Sequence, residues 1–242
     1  MSTVPEIRVI YEDNHLLVVS KPPNMPTQAD DSHDPDLLSE MKAYVARKYQ
    51  KPGAVYLGLV HRLDRPVGGL LVLARTGKAA QRLSGQVQAK TMNREYLAVV
   101  RGRPVSGELH DWLLKDPADN MVRVVPANVP GAKEARLSFR VLGSAEGCSL
   151  VRVRLYTGRS HQIRVQLSHA GFPIWGDARY GRGRPGEQIA LWGTFLTLEH
   201  PTRKEEMHFF SPPPEREVPW SAFSSYIQMI DRPADGRQNQ EV

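Results

Sequence analysis

The chain has 242 residues, 40% hydrophobic and 24% charged, enough for one large domain or two small ones with a packed core. Its single cysteine, Cys148, excludes an intramolecular disulfide and a cysteine-rich metal site; the N-terminal MSTVPEIRVI lacks a signal-peptide core, and the run Leu70–Ala74 is too short to cross a bilayer, so no membrane association and a cytoplasmic location are expected. The net charge is +6 and favours a polyanionic partner without proving one; 23 of the 32 basic residues are Arg, and the stretch 150–184 holds seven Arg against one acid, Asp177.

In chain order, residues 7–11 and 16–20 read as short strands around the turn Asp13-Asn14, after which Lys21-Pro22-Pro23-Asn24 breaks the pattern. Leu37, Leu38, Met41, Val45 and Tyr49 fall at helical spacing and predict an amphipathic helix over 36–50. Leu70–Ala74 predicts a buried strand, and Thr76 caps a helix over 77–90. Arg94–Arg101 predicts a strand, and 102–133 is expected to be a mobile insertion. Strands follow over 134–142 and 149–156. In the second, Val151, Val153 and Leu155 point one way while Arg152, Arg154 and Tyr156 point the other. Ser160 is expected to cap a helix over 161–170, ended by Gly171. Strands over 189–198 and 206–210 come next, then a Pro-rich stretch and a short final helix. One folded domain is expected to span 1–225, with 226–242 a disordered tail. This mixture, without regular βαβ alternation, predicts an α+β fold. No G-x-x-x-x-G-K-[S/T] phosphate loop is present.

Four segments concentrate reactive side chains. His61-Arg62-Leu63-Asp64-Arg65-Pro66-Val67-Gly68-Gly69 sets a carboxylate between two guanidinium groups. Such a carboxylate stays ionised, which suits a nucleophile or base and not a general acid. A structural salt-bridge cluster fits the same spacing. Leu155-Tyr156-Thr157-Gly158-Arg159-Ser160-His161-Gln162-Ile163-Arg164 runs from the basic strand into a helix start. It reads as a phosphate site or as a charged helix start. Tyr96 reads as a core aromatic or as a platform for a base. Gly176-Asp177-Ala178-Arg179-Tyr180-Gly181 reads as a turn held by a local ion pair.

In this order the segments resemble the RluA family of RNA pseudouridine synthases. The His61–Gly69 run matches that family's HRLD motif, Arg94–Val100 its tyrosine segment, and Leu155–Tyr180 its long third motif, of the form TGRxHQIRxxLxxxGxPIxGDxxYG. Lys21-Pro22 matches its early Lys-Pro pair. The resemblance runs through about residues 7–210. It implies a mixed, largely antiparallel sheet with flanking helices around an RNA-binding cleft. It also implies isomerisation of a flipped-out uridine in ribosomal or transfer RNA, the former slightly favoured, with no metal and no cofactor. It makes Asp64 the catalytic aspartate, packs Tyr96 on the target base, and pairs Arg164 with Asp64. Arg62, Arg65, His61, Arg159, His161, Gln162, Arg152 and Arg154 are expected to bind RNA. A monomer without an obligate protein partner is expected.

There are two departures from the family. Relatives often carry Thr-Ser where this chain has Val67-Gly68. The RNA-binding S4 domain of many relatives is expected to be absent, since the first strand begins by about residue 7. The rival readings are a non-catalytic RNA-binding protein on the same fold and a nucleoside hydrolase, which would release free uracil.

Overall fold

A computed structural model describes residues 5–50, 52–184 and 186–230. The elements run β1 (Arg8–Glu12), β2 (Leu16–Lys21), α1 (Leu37–Lys48), β3 (Gly58–Leu59), β4 (Gly68–Ala74), α2 (Gly77–Gln88) and β5 (Asn93–Arg101). They continue through β6 (Gly107–Lys115), β7 (Val122–Val125), β8 (Lys133–Ala145), β9 (Cys148–Leu155), α3 (Gln162–His169), β10 (Leu191–Glu199) and β11 (Glu206–Phe210). A 3-10 turn (Trp220–Phe223) and α4 (Ser224–Gln228) follow. The chain divides into two compact units. One holds the residues up to Asn93 together with Gly193–Ser211, the other Arg94–Trp192 and the stretch from Pro212.

In the first unit β1, β2, β4 and β10 lie in that order, with β3 added to β4 and β11 to β10. The pairs β1–β2, β2–β4, β3–β4 and β10–β11 are antiparallel. All seven residues of β4 are buried, which explains why its sequence is a continuous apolar run and not an alternation. Leu16, Val18, Leu70, Val72 and Ala74 share a core with Ala79 and Leu83 of α2 and with Leu196, Leu198, Met207 and Phe209. Fully burying one such aliphatic side chain is worth about 1.5–3 kcal/mol. Helix starts follow the sequence: Asp36 accepts the Ser39 N–H at 3.0 Å, and Thr76 accepts the Ala79 N–H at 3.1 Å.

In the second unit the order is β5-β9-β8-β6-β7, with every neighbouring pair antiparallel. The expected mobile insertion at 102–133 instead carries two strands, β6 and β7. Its alternation is blurred because Trp112 and Leu114 break the polar side of Glu108 and His110. Leu113 and Val122 from these strands pack with Ala135 and with Val165 of α3. A second cluster joins Leu97, Val99 and Leu150 to Trp220, Phe223 and Ile227. The tail expected from 226 therefore starts too early, because Tyr226–Gln228 completes α4 and Ile227 is buried. The rest of that tail, from 231, lies outside the described residues.

Candidate active site

Asp64 is half-buried on the loop joining β3 to β4. Four bonds shape this loop. His61 is buried and its Nε2 accepts the Val72 N–H of β4 at 3.1 Å. Leu63 carbonyl accepts the Thr27 hydroxyl at 2.8 Å. Asp64 carbonyl accepts the Val67 N–H at 2.9 Å, closing a turn directly after the carboxylate. From below, Lys21 donates to the Arg65 carbonyl at 3.1 Å, and to the carbonyls of Pro22 at 2.9 Å and Met25 at 2.7 Å.

Lys21 is fully buried at the end of β2, opposite Gly69. Burial pushes its amine down to about 7, while the charge of Asp64 works in the opposite direction. In the sequence Lys21-Pro22 stands out only as a motif, without a role for Lys21. A Lys at the end of an apolar strand, followed by Pro, was the available signal.

Of the two arginines flanking Asp64, Arg65 is exposed and turned to Asp34 and to the Ser32 hydroxyl, the latter at 3.0 Å. Arg62 is exposed and bonds no carboxylate among the described residues.

In the second unit Tyr96 is buried on β5 and Arg164 is buried on α3. Arg164 forks onto Asp177, with Nε to Oδ2 and Nη2 to Oδ1 both at 2.8 Å. Asp177 also accepts the backbone N–H groups of Arg179 at 3.0 Å and Tyr180 at 3.2 Å. Burial acts to raise the Asp177 carboxyl, but the Arg164 guanidinium and these N–H groups outweigh it and hold the carboxyl below its ordinary range. The ion pair expected inside the turn is thus made with Arg164, thirteen residues earlier, and not with Arg179. Gly181–Gly186 also has G-x-G-x-x-G spacing. Among the described residues no helix leaves it, so it is not a dinucleotide fingerprint.

The start of α3 differs from expectation. Ser160 makes no cap; the N-cap position is His161, at φ 52°, and its side chain caps nothing. His161 Nδ1 lies 2.6 Å from the Tyr180 hydroxyl. Gln162, expected at the RNA, is buried instead. Its amide oxygen accepts from the Thr157 hydroxyl at 2.8 Å and the Arg159 N–H at 3.0 Å, and its amide nitrogen donates to the Arg136 carbonyl at 3.1 Å. Arg159 is exposed, with Nε on the Glu134 carbonyl at 2.8 Å.

Strand register separates the remaining candidates. Tyr96 stands opposite Val153, and Val153 opposite Phe139. Directly opposed residues share a face and their neighbours take the other. Ala135, in step with Phe139 on β8, meets Val165 of α3. Tyr96 and α3 therefore share one face of this sheet, while Arg152 and Arg154 stand on the opposite face. There Arg152 bonds Glu95 at 2.5 Å, and Arg154 and Arg136 approach the Tyr156 ring at 5.7 and 5.1 Å.

Comparison with known proteins shows the family. The family model described as RNA pseudouridylate synthase matches residues 15–169. The chain is 35% identical to the ribosomal large subunit pseudouridine synthase D of Pseudomonas aeruginosa, over 87% of this chain and 69% of that protein. It is 33% identical to an uncharacterized RNA pseudouridine synthase of Bacillus subtilis, over 87% of this chain and 70% of that protein. Among solved structures, human RNA pseudouridylate synthase domain containing 4 has a similar fold, with a TM-score of 0.73 at 20% identity over 91% of both chains.

Proposed function

Since this chain belongs to the RNA pseudouridylate synthase family, we propose that it converts uridines of large-subunit ribosomal RNA to pseudouridine with Asp64 as the catalytic carboxylate. The enzyme is an isomerase: the N1–C1′ bond breaks, the uracil turns, and C5 joins C1′. C5 gives up its hydrogen and N1 gains one, so atoms and electrons balance without a redox partner.

The observation that carries the reading is the loop holding Asp64. A half-buried carboxylate sits on a segment tied to β4 by His61, to Thr27, and to the buried Lys21. Such ties fix a reactive group within the tolerance that catalysis needs. Asp64 acts as a carboxylate, either by covalent attack or by taking the C2′ proton, and Arg164 serves as its counter-cation. Tyr96 packs on the flipped base, returning about 1–3 kcal/mol of the unstacking cost. Exposed Arg62 and Arg159 hold phosphates. The enzyme works as a cytoplasmic monomer, which light scattering on the purified protein checks.

The test is carbodiimide (CMC) primer-extension mapping of pseudouridine in RNA from a deletion strain, rescued by wild type, Asp64→Ala or Asp64→Asn. We expect a large-subunit site that only the wild type restores, while both mutants still bind RNA. Restoration by either mutant would remove Asp64 from the chemistry. A site lost from transfer RNA alone would change the substrate and leave the reaction standing.

A further inference from the structure

The Gly176–Gly181 turn encloses Arg164 on two sides. Asp177 is 1% exposed and Arg164 5%, and the two parallel N–H···O bonds of 2.8 Å take up the Nε–Nη2 edge of the guanidinium. The Tyr180 ring lies against the guanidinium, with its centroid 5.1 Å from Cζ. Tyr180 is itself fixed: its hydroxyl accepts the Val122 N–H at 3.0 Å and bonds His161 Nδ1 at 2.6 Å, and its carbonyl accepts the Ser168 hydroxyl. The turn is built on Gly176, at φ 71°, where a Cβ would stand 2.2 Å from the Gln188 carbonyl oxygen.

We propose that Asp177 and Tyr180 are positioning residues that set the plane and direction of the Arg164 guanidinium for the reaction. The proposal rests on the reading that Arg164 serves Asp64. A buried ion pair is weak grounds for stability, because desolvation offsets most of its attraction. What a two-pronged fork does supply is geometry, since it stops rotation of the guanidinium in its own plane. The ring stops tilting out of that plane. With one edge consumed, the Nη1 hydrogens and the second Nη2 hydrogen are presented in one fixed direction. Lysine reproduces neither restraint.

The test uses the full-length protein and RNA from the deletion strain labelled with 5-tritiated uridine, reading tritium released from C5. Asp177→Asn keeps the shape and one acceptor. We expect its kcat to fall about 10–100-fold with KM for RNA little changed, the effect of a misplaced group and not of lost binding. In an Arg164→Lys background the same change should cost less than about threefold, because both act through one guanidinium.

Wild-type kcat in a folded Asp177→Asn protein overturns the proposal, and so does a full multiplicative loss in the double mutant. If Asp177→Asn does not fold, Asp177→Glu carries the test: the charge that a purely structural pair needs is kept, and the guanidinium is displaced. A lowered kcat in that variant supports positioning, and a wild-type kcat refutes it. Wild-type kcat in Arg164→Lys alone would instead bring down the reading of Arg164, and the inference with it.

Discussion

Lys21 shows how much one buried side chain can carry. Its ammonium gives one hydrogen to each of three carbonyls, including that of Arg65 next to Asp64. Burial holds the amine near 7, below the ordinary 10.5. Between those values the unfolded chain binds the proton more strongly than the folded one, so stability rises with pH across that window. Below 7 both states are protonated, and the cost of burying the charge is felt in full. We expect urea unfolding of Lys21→Met to show a flatter rise in stability from pH 7 to 10 than the wild type. It should also show lower kcat, because the Arg65 carbonyl loses its anchor. An unchanged pH slope would mean that the ammonium is not its source. The sequence displayed Lys21-Pro22 plainly, but burial of the amine depends on β4 and its preceding loop closing over it.

At the scale of elements, legibility followed the strength of local signals. The helix starts at Asp36 and Thr76 each need only a capping side chain three residues before its N–H; the Thr76 cap was expected, while the helix expected from 36 begins at Leu37 with Asp36 as its cap. The start of α3 could not be read in advance, because His161 takes a left-handed backbone there and the turn is tied from inside by Gln162. Strands β6 and β7 were hidden because their packing partner, α3, lies far along the chain. Gly69 is the position where an element tolerates least. It sits in β4 at φ 117°, and a Cβ there would lie 2.3 Å from the Gly193 carbonyl oxygen. The contact is with backbone, which cannot swing aside. Gly69→Ala should therefore destabilise the protein by roughly 2–4 kcal/mol, from left-handed strain and overpacking together. Urea denaturation measures this, and a change under about 0.5 kcal/mol, the scale of an ordinary surface substitution, would contradict the close approach.

At the scale of the whole molecule, charge and its placement have to be separated. The net +6 predicts RNA affinity that falls steeply between about 50 and 200 mM salt, as counterions released from phosphates require. Alternation along β9 was legible, and it put Arg152 and Arg154 on one face. Which face carries Tyr96 was not, because that depends on pairing with β5, some fifty residues earlier. The structure sets those arginines behind the sheet and engages Arg152 with Glu95 and Arg136 with Glu108. A guanidinium already paired with a carboxylate offers little net charge to a phosphate. Arg152 and Arg154, the basic side of β9, are therefore expected to contribute least to RNA binding. Arg154→Glu should leave affinity within about twofold and the slope of affinity against salt unchanged. Arg62→Glu, beside Asp64, should weaken binding about tenfold or more and flatten the slope by about one phosphate contact. Fluorescence anisotropy over a salt series reads both quantities. A reversed ranking would place the RNA across the β9 face and reassign Arg62 to holding its own loop.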